Sequence, residues 1–162
     1  MKTKSNVRDL SAQEIDDFLS GQRVGVLSLN DGKSSYAIPL AYFYEQGAVY
    51  LTLGGEGRKM EYISTNRNVC FTVCRVPENF GAGGMSWTSV IADGILERLT
   101  DPGDITRAVR SGEKHMGMPE GTWDRLLAMT LKNPQESNFW KVRVTHAGGR
   151  GVEDFKEEIV DG

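Results

Sequence analysis

Two adjacent cations, Arg58 and Lys59, follow directly on a glycine turn, Gly54-Gly55-Glu56-Gly57. Tyr50-Leu51-Thr52-Leu53 before the turn reads as a strand, and Met60-Glu61-Tyr62-Ile63 after it reads as the start of a short helix. A helix start presents unpaired N–H groups and the positive end of the helix dipole. A glycine such as Gly57 lets that backbone approach a ligand closely. Cations are unfavourable at such a position unless an anion compensates them, and phosphate is the natural anion. The same spacing also describes a tight strand–helix turn with two solvated charges. The glycine pattern is neither that of the nucleotide P-loop nor the dinucleotide fingerprint.

The other reactive side chains are few. Cys70 and Cys74 are the only cysteines. On a strand they share a face with Thr72 between them, about 13 Å apart by strand rise, too far for a disulfide. With only two histidines, both distant in sequence, they make no zinc pattern, and buried core thiols are expected. His115 stands beside Met116 and Met118, a haem or metal ligand by type, but also an ordinary packing or surface histidine.

The elements that must position these groups can be read in order. Ser11 and Glu14 form a capping box, Leu10 can staple against Ile15, and Gly21 ends a helix whose stripe is Ile15, Phe18 and Leu19. Strands are expected over 23–29 and 34–45, joined by the turn Asn30-Asp31-Gly32, with Gln46-Gly47 leading to a third over 48–53. Pro39 cannot donate to a ladder, so it belongs at an edge, a bulge or an opening of the sheet. A helix over 58–66 precedes a strand over 69–76 and a glycine-rich loop over 77–86. Residues 87–99 resume strand character, with a bend at Gly94. Residues 101–131 are helical, with Asp101 and Thr122 as N-caps and Asn133-Pro134 as a stop. Trp123, Leu126, Leu127, Thr130 and Leu131 form an apolar face that reads as core. A last strand covers 138–145, and an acidic tail covers 153–162.

Six strands with flanking helices and mostly tight turns describe a small antiparallel barrel, mainly β in an α+β arrangement. A parallel sheet is excluded by the short connections between the first three strands. The 162 residues read as one domain with its core over about 11–145. Apolar and charged contents of 39% and 25% are those of a soluble protein. A net charge of -3 argues against a nucleic-acid partner. No apolar run nears the roughly 20 residues that span a bilayer, and no secretory signal is visible, so cytoplasmic residence is the expectation.

In strand order and turn the chain resembles the pyridoxamine 5′-phosphate oxidase-like FMN-binding split-barrel family, closest to its nitroimidazole-reductase-like branch. The resemblance rests on Arg23-Val24-Gly25-Val26-Leu27-Ser28-Leu29, Tyr36-Ala37-Ile38-Pro39-Leu40-Ala41-Tyr42, and Val49-Tyr50-Leu51 through Gly57-Arg58-Lys59. Asn66-Arg67-Asn68-Val69-Cys70-Phe71 and Ser89-Val90-Ile91-Ala92-Asp93-Gly94 continue it, and residues 139–145 fit the closing strand.

The resemblance implies a six-stranded split barrel that binds FMN, with FAD possible. Gly57, Arg58 and Lys59 would hold the phosphate. Ile38, Pro39 and Leu40 would lie along the isoalloxazine ring, with Tyr36 bordering it. Thr52 would line the phosphate or ribityl side. Ser89 and Trp87 would meet the flavin across a homodimer interface. The implied activity is flavin-dependent reduction of a small organic acceptor; a non-catalytic flavin or redox-sensing protein, or a barrel using deazaflavin or haem with His115 or His146, is the alternative. No side-chain acid–base pair stands out, which suits a flavin enzyme. Thr52 occupies the place of a histidine found in many nitroimidazole-reductase-like relatives, and Lys141, Arg143 and Arg150 do not reproduce the oxidase's substrate-phosphate segment. The first departure speaks against activity on nitroimidazoles, and the second against vitamin B6 oxidation.

Overall fold

The computed structural model describes residues 6–82 and 86–153. It builds one eight-stranded antiparallel sheet from β1 (Asn6–Asp9), β2 (Val24–Asn30), β3 (Ser35–Ala41), β4 (Phe43–Glu45), β5 (Ala48–Thr52), β6 (Asn68–Arg75), β7 (Trp87–Arg98) and β8 (Phe139–Glu153). The helices are α1 (Ala12–Gly21), α2 (Arg58–Thr65), α3 (Pro102–His115) and α4 (Asp124–Leu131). Eight strands stand where the sequence marks six. The segment expected over 34–45 breaks at Tyr42 into β3 and β4, and the short β1 adds to the far end of β8. Beyond Glu153 the acidic tail lies outside the described residues, as do residues 83–85 of the glycine-rich loop.

The strand order β3-β2-β6-β7-β8-β5-β4 explains the curl of the sheet. β3 and β4 are its two ends, yet Tyr42 alone separates them in the chain. Two residue steps reach about 7 Å, so the edges must meet at Tyr42. From there they diverge, leaving a barrel closed at one end and split at the other. The Tyr42 N–H donates to the Arg23 carbonyl at 3.0 Å, and its buried hydroxyl donates to the Leu19 carbonyl of α1 at 2.7 Å. Tyr42→Phe strands that carbonyl in the core. The expected cost is about 1–2 kcal/mol, read by urea unfolding.

The core follows from alternation. Leu27 and Leu29 of β2, Val69, Phe71 and Val73 of β6, and Val90 and Leu96 of β7 point into the barrel with Trp140 and Val142 of β8. Cys70 and Cys74 point the other way, so they are half-buried and exposed free thiols rather than core thiols. A Cβ on Gly25 would stand 2.4 Å from the Phe71 ring, so that glycine makes room for the core's central aromatic. The capping box at Ser11 and Glu14 forms as the sequence predicts and fixes α1. Its ring partners are Tyr42 and Tyr44, the latter donating to Asp16 at 2.7 Å.

A second, smaller core of Leu99, Ile105, Ala108, Val109, Leu127 and Phe139 joins α3 and α4 to the sheet's outer side, with Tyr50 and Trp123 packed against it. Asp101 caps α3 through the Asp104 N–H, as expected. Thr122 does not cap α4: its hydroxyl donates to the Pro119 carbonyl, and Trp123 takes the N-cap place. Only Leu127 of the apolar face of α4 is buried; Leu126 and Leu131 are exposed.

Glu113 ties these helices together. Its side chain is 1% exposed, accepting from Arg110 at 2.8 Å and from the Trp123 N–H at 2.8 Å. Burial pushes its carboxyl up, but the Trp123 and Arg110 bonds outweigh burial and hold it below the usual 4.5. Arg110 also meets Asp124 at 2.5 Å and lies 4.0 Å from Glu120. A depressed folded pKa means stability that is present above the unfolded value and lost as pH falls through the folded one. Glu113→Gln is expected to lower Tm at pH 7, the gap to the native protein closing as pH falls below 4.5. Melting curves from pH 7 to pH 3 check this, and a gap that stays constant counters it.

Candidate functional site

The glycine turn and β3 come together at the open side of the barrel. Gly57, with φ +100°, is the N-cap of α2 and offers no side-chain cap to the helix's first N–H groups. Arg58 follows as the first helical residue and is exposed. Its guanidinium lies 4.8 Å over the Tyr36 ring and 5.7 Å over the Tyr62 ring, and donates to the Tyr62 hydroxyl at 3.2 Å. The two tyrosines stack at 5.6 Å and 17°. The Ser34 hydroxyl lies 2.8 Å from that of Tyr62, which ties α2 to the β2–β3 hairpin. Lys59 Nζ donates to the Glu56 carbonyl at 2.8 Å and lies 3.7 Å from where a Cβ on Gly57 would stand. Two formal charges and an uncapped helix start therefore share one exposed corner.

β3 supplies the second part. The Tyr42 N–H bond to Arg23 sets the ladder parity, so even-numbered residues of β3 bond to β2. Pro39, opposite Val26, falls on the other parity, where a missing N–H costs the ladder nothing. The backbone groups turned to the free edge are those of Ser35, Ala37, Pro39 and Ala41, and their side chains are exposed. Ile38 and Leu40 instead give their backbone to β2, and their half-buried side chains pack on the core. The edge thus offers the N–H groups of Ala37 and Ala41 and the carbonyl of Pro39. Pro39 at an edge is what the sequence required; the outward roles of Ala37 and Ala41 follow only from the parity that Tyr42 sets.

The remaining predicted residues lie apart. Thr52 is exposed at the end of β5, opposite Phe139, and shares a cavity wall with Ala41. Trp87 and Ser89 lie on β7, separated from β3 by β6 and β2. Ser89 pairs with Cys74 and Arg150, and the Trp87 ring meets Phe80 edge-on at 6.2 Å. Sequence reasoning missed Tyr62 and Ser34, although Tyr62 stands four residues after Arg58 on one helix face, a spacing at which side chains meet. His115 stacks on Phe43 at 5.2 Å, 4.0 Å from Glu45, and His146 is exposed opposite Asp93. No group of three metal-ligating side chains occurs among the described residues. No helix among them is long and apolar enough to cross a membrane. Arg143 is held by Glu97 at 2.6 Å, and Arg150 lies 3.9 Å from Asp9.

The family model of pyridoxamine 5′-phosphate oxidase matches residues 11–151. The chain belongs to this family. Among solved structures, an FAD-binding protein from Mesorhizobium loti is 27% identical, with a TM-score of 0.62 over 90% of this chain and 97% of that one. A putative 5-nitroimidazole antibiotic resistance protein from Bacteroides thetaiotaomicron reaches a TM-score of 0.73 at 20% identity, over 91% and 90%. The FAD binding protein from Mycobacterium smegmatis gives 0.65 at 19%, over 90% and 98%. The last two show the fold alone. No curated protein matches the chain. The pyridoxamine 5′-phosphate oxidase match spans both the basic corner at Arg58 and the free edge of β3.

Proposed function

We propose that the chain is one flavin-binding unit that holds FMN at the basic corner and the β3 edge, and that it reduces a small organic acceptor as a cytoplasmic homodimer. The observation that carries this reading is the meeting of Arg58 with Tyr36 beside the free edge of β3. Membership of the pyridoxamine 5′-phosphate oxidase family supports it, as does likeness to the FAD-binding protein from Mesorhizobium loti, which leaves FAD as the alternative flavin.

The residues fit the group. Arg58, Lys59 and the first N–H groups of α2 would hold its phosphate by charge-assisted hydrogen bonds, the tyrosine rings keeping Arg58 extended toward it. The N–H groups of Ala37 and Ala41 and the Pro39 carbonyl would meet the donor and acceptor edge of the ring system. Thr52 would border the ribityl side. When bound, the flavin supplies the electron-transfer chemistry; the protein's part is anchoring, orientation and exclusion of water. The dimer is argued from β7: β6 and β2 stand between Trp87 and Ser89 and the edge of β3, an arrangement that favours a second copy bringing these residues to the flavin. Titrating the flavin-free protein with FMN, with the mass in solution followed by sedimentation, tests this. One FMN per chain in a dimer is expected; a monomer that binds FMN fully would remove the role of β7.

A further inference from the structure

A cavity of about 320 Å³ opens between the closed end of the barrel and the α3–α4 pair. Its floor is sheet: Ala41 at the end of β3, Tyr50 and Thr52 of β5, and Phe139 of β8. Rings line it as well: Phe43, stacked on Tyr50 at 4.8 Å and 4°, and Trp123. Leu126, 46% exposed, stands at its rim.

The sequence keeps this space open by two devices. The face that α3 turns to the rings carries small residues one turn apart, Ala108 and Gly112. A Cβ on Gly112 would stand 2.9 Å from the Trp123 ring and 3.2 Å from that of Phe43, so both rings rest on bare helix backbone. A glycine inside a helix costs about 1 kcal/mol against alanine, and here it sets the spacing of the two rings. The second device is Glu113, whose buried carboxylate accepts the Trp123 N–H and so pins that residue to α3. Native interiors hold few voids larger than a water molecule, and an open apolar cavity of this size falls at the lower end of small-molecule sites, about 300–1,000 Å³.

We propose that this cavity binds a planar, uncharged aromatic molecule of one or two fused rings. The wall is ring and methyl surface, the Thr52 hydroxyl is among its few polar groups, and no charged side chain among the described residues lines it. Ala41 also belongs to the free edge of β3 that forms the candidate flavin surface, so the bound ring lies at its margin, where an electron acceptor belongs. That acceptor role rests on the flavin reading; binding of the ring does not.

Calorimetric titration with 2-naphthol, on the protein with and without FMN, is the test. The expected result is saturable binding of one naphthol per chain in both forms, with 2-naphthoate binding at least tenfold more weakly. Ala108→Leu, which fills the cavity, is expected to weaken naphthol at least tenfold and leave FMN affinity unchanged. Should that variant not fold, Leu126→Glu at the exposed rim is expected to weaken naphthol severalfold. Naphthol bound equally well by the folded variants, not bound saturably, or fully displaced by FMN would overturn the assignment. Failure of FMN to bind while naphthol binds as expected would remove the flavin reading and keep the pocket.

Discussion

Arg58→Ala combined with Lys59→Ala is expected to raise the dissociation constant for FMN at least tenfold and to leave the fold intact. Each cation is exposed or half-buried at the first turn of α2, so neither contributes to the core. Hydrogen bonds to charged groups are worth about 1.5–3 kcal/mol each, and two at the lower figure give about a hundredfold; solvent screening brings the expectation down toward ten. The loss should be larger at low salt than at high salt. Arg58→Lys separates the two roles of that residue. A lysine keeps the charge but not the flat guanidinium that lies over Tyr36, so affinity is expected to fall between the native protein and the double variant. Flavin titrations at two salt concentrations read both effects. Unchanged affinity in a folded double variant would place the phosphate elsewhere.

Gly94→Ala is expected to be the most damaging single methyl group in the sheet. Gly94 lies where the β7–β8 register shifts, between Asp93 and Gly94, and a Cβ there would stand 2.4 Å from the Arg143 carbonyl oxygen and 2.7 Å from Val142. The nearest obstacle is backbone, which cannot rotate away as a side chain can. Overpacking of this kind costs about 3 kcal/mol, roughly 10 °C in Tm for a chain of this size. Gly148→Ala on the neighbouring strand is the control. A Cβ there meets nothing within 4 Å, so its effect should stay within about 0.5 kcal/mol. Thermal melts of both variants decide the matter, and equal Tm values would mean that the bulge at Gly94 yields freely.

Much of this architecture was legible in the sequence because it is local. The capping box of α1, the turn at Gln46-Gly47 with both residues at positive φ, the break at Gly94 and the helix start after Gly57 are each decided by a few neighbouring residues. What was not legible depends on contacts far apart in the chain. The break at Tyr42 comes from the meeting of the two sheet edges, which no run of alternating residues announces. The outward faces of Cys70 and Cys74 follow from Phe71 taking the barrel centre. α4 reads as a core helix by its stripe, yet Leu126 and Leu131 are exposed and only Leu127 is buried, because α4 packs with α3 in the smaller core and not in the barrel. The candidate site divides in the same way. Arg58, Lys59 and Gly57 could be named from spacing, whereas Tyr62, Ala37 and Ala41 needed the register of β3 against β2.

The proposed site, dimer and acceptor chemistry all depend on a bound flavin. The most direct measurement is the visible spectrum of the freshly purified chain, followed by the mass of whatever small molecule heat releases from it. A flavin spectrum with FMN released, or FMN taken up to one per chain by protein purified without it, is the predicted result. A colourless protein that takes up neither FMN nor FAD would rule out flavin binding at the basic corner and the β3 edge.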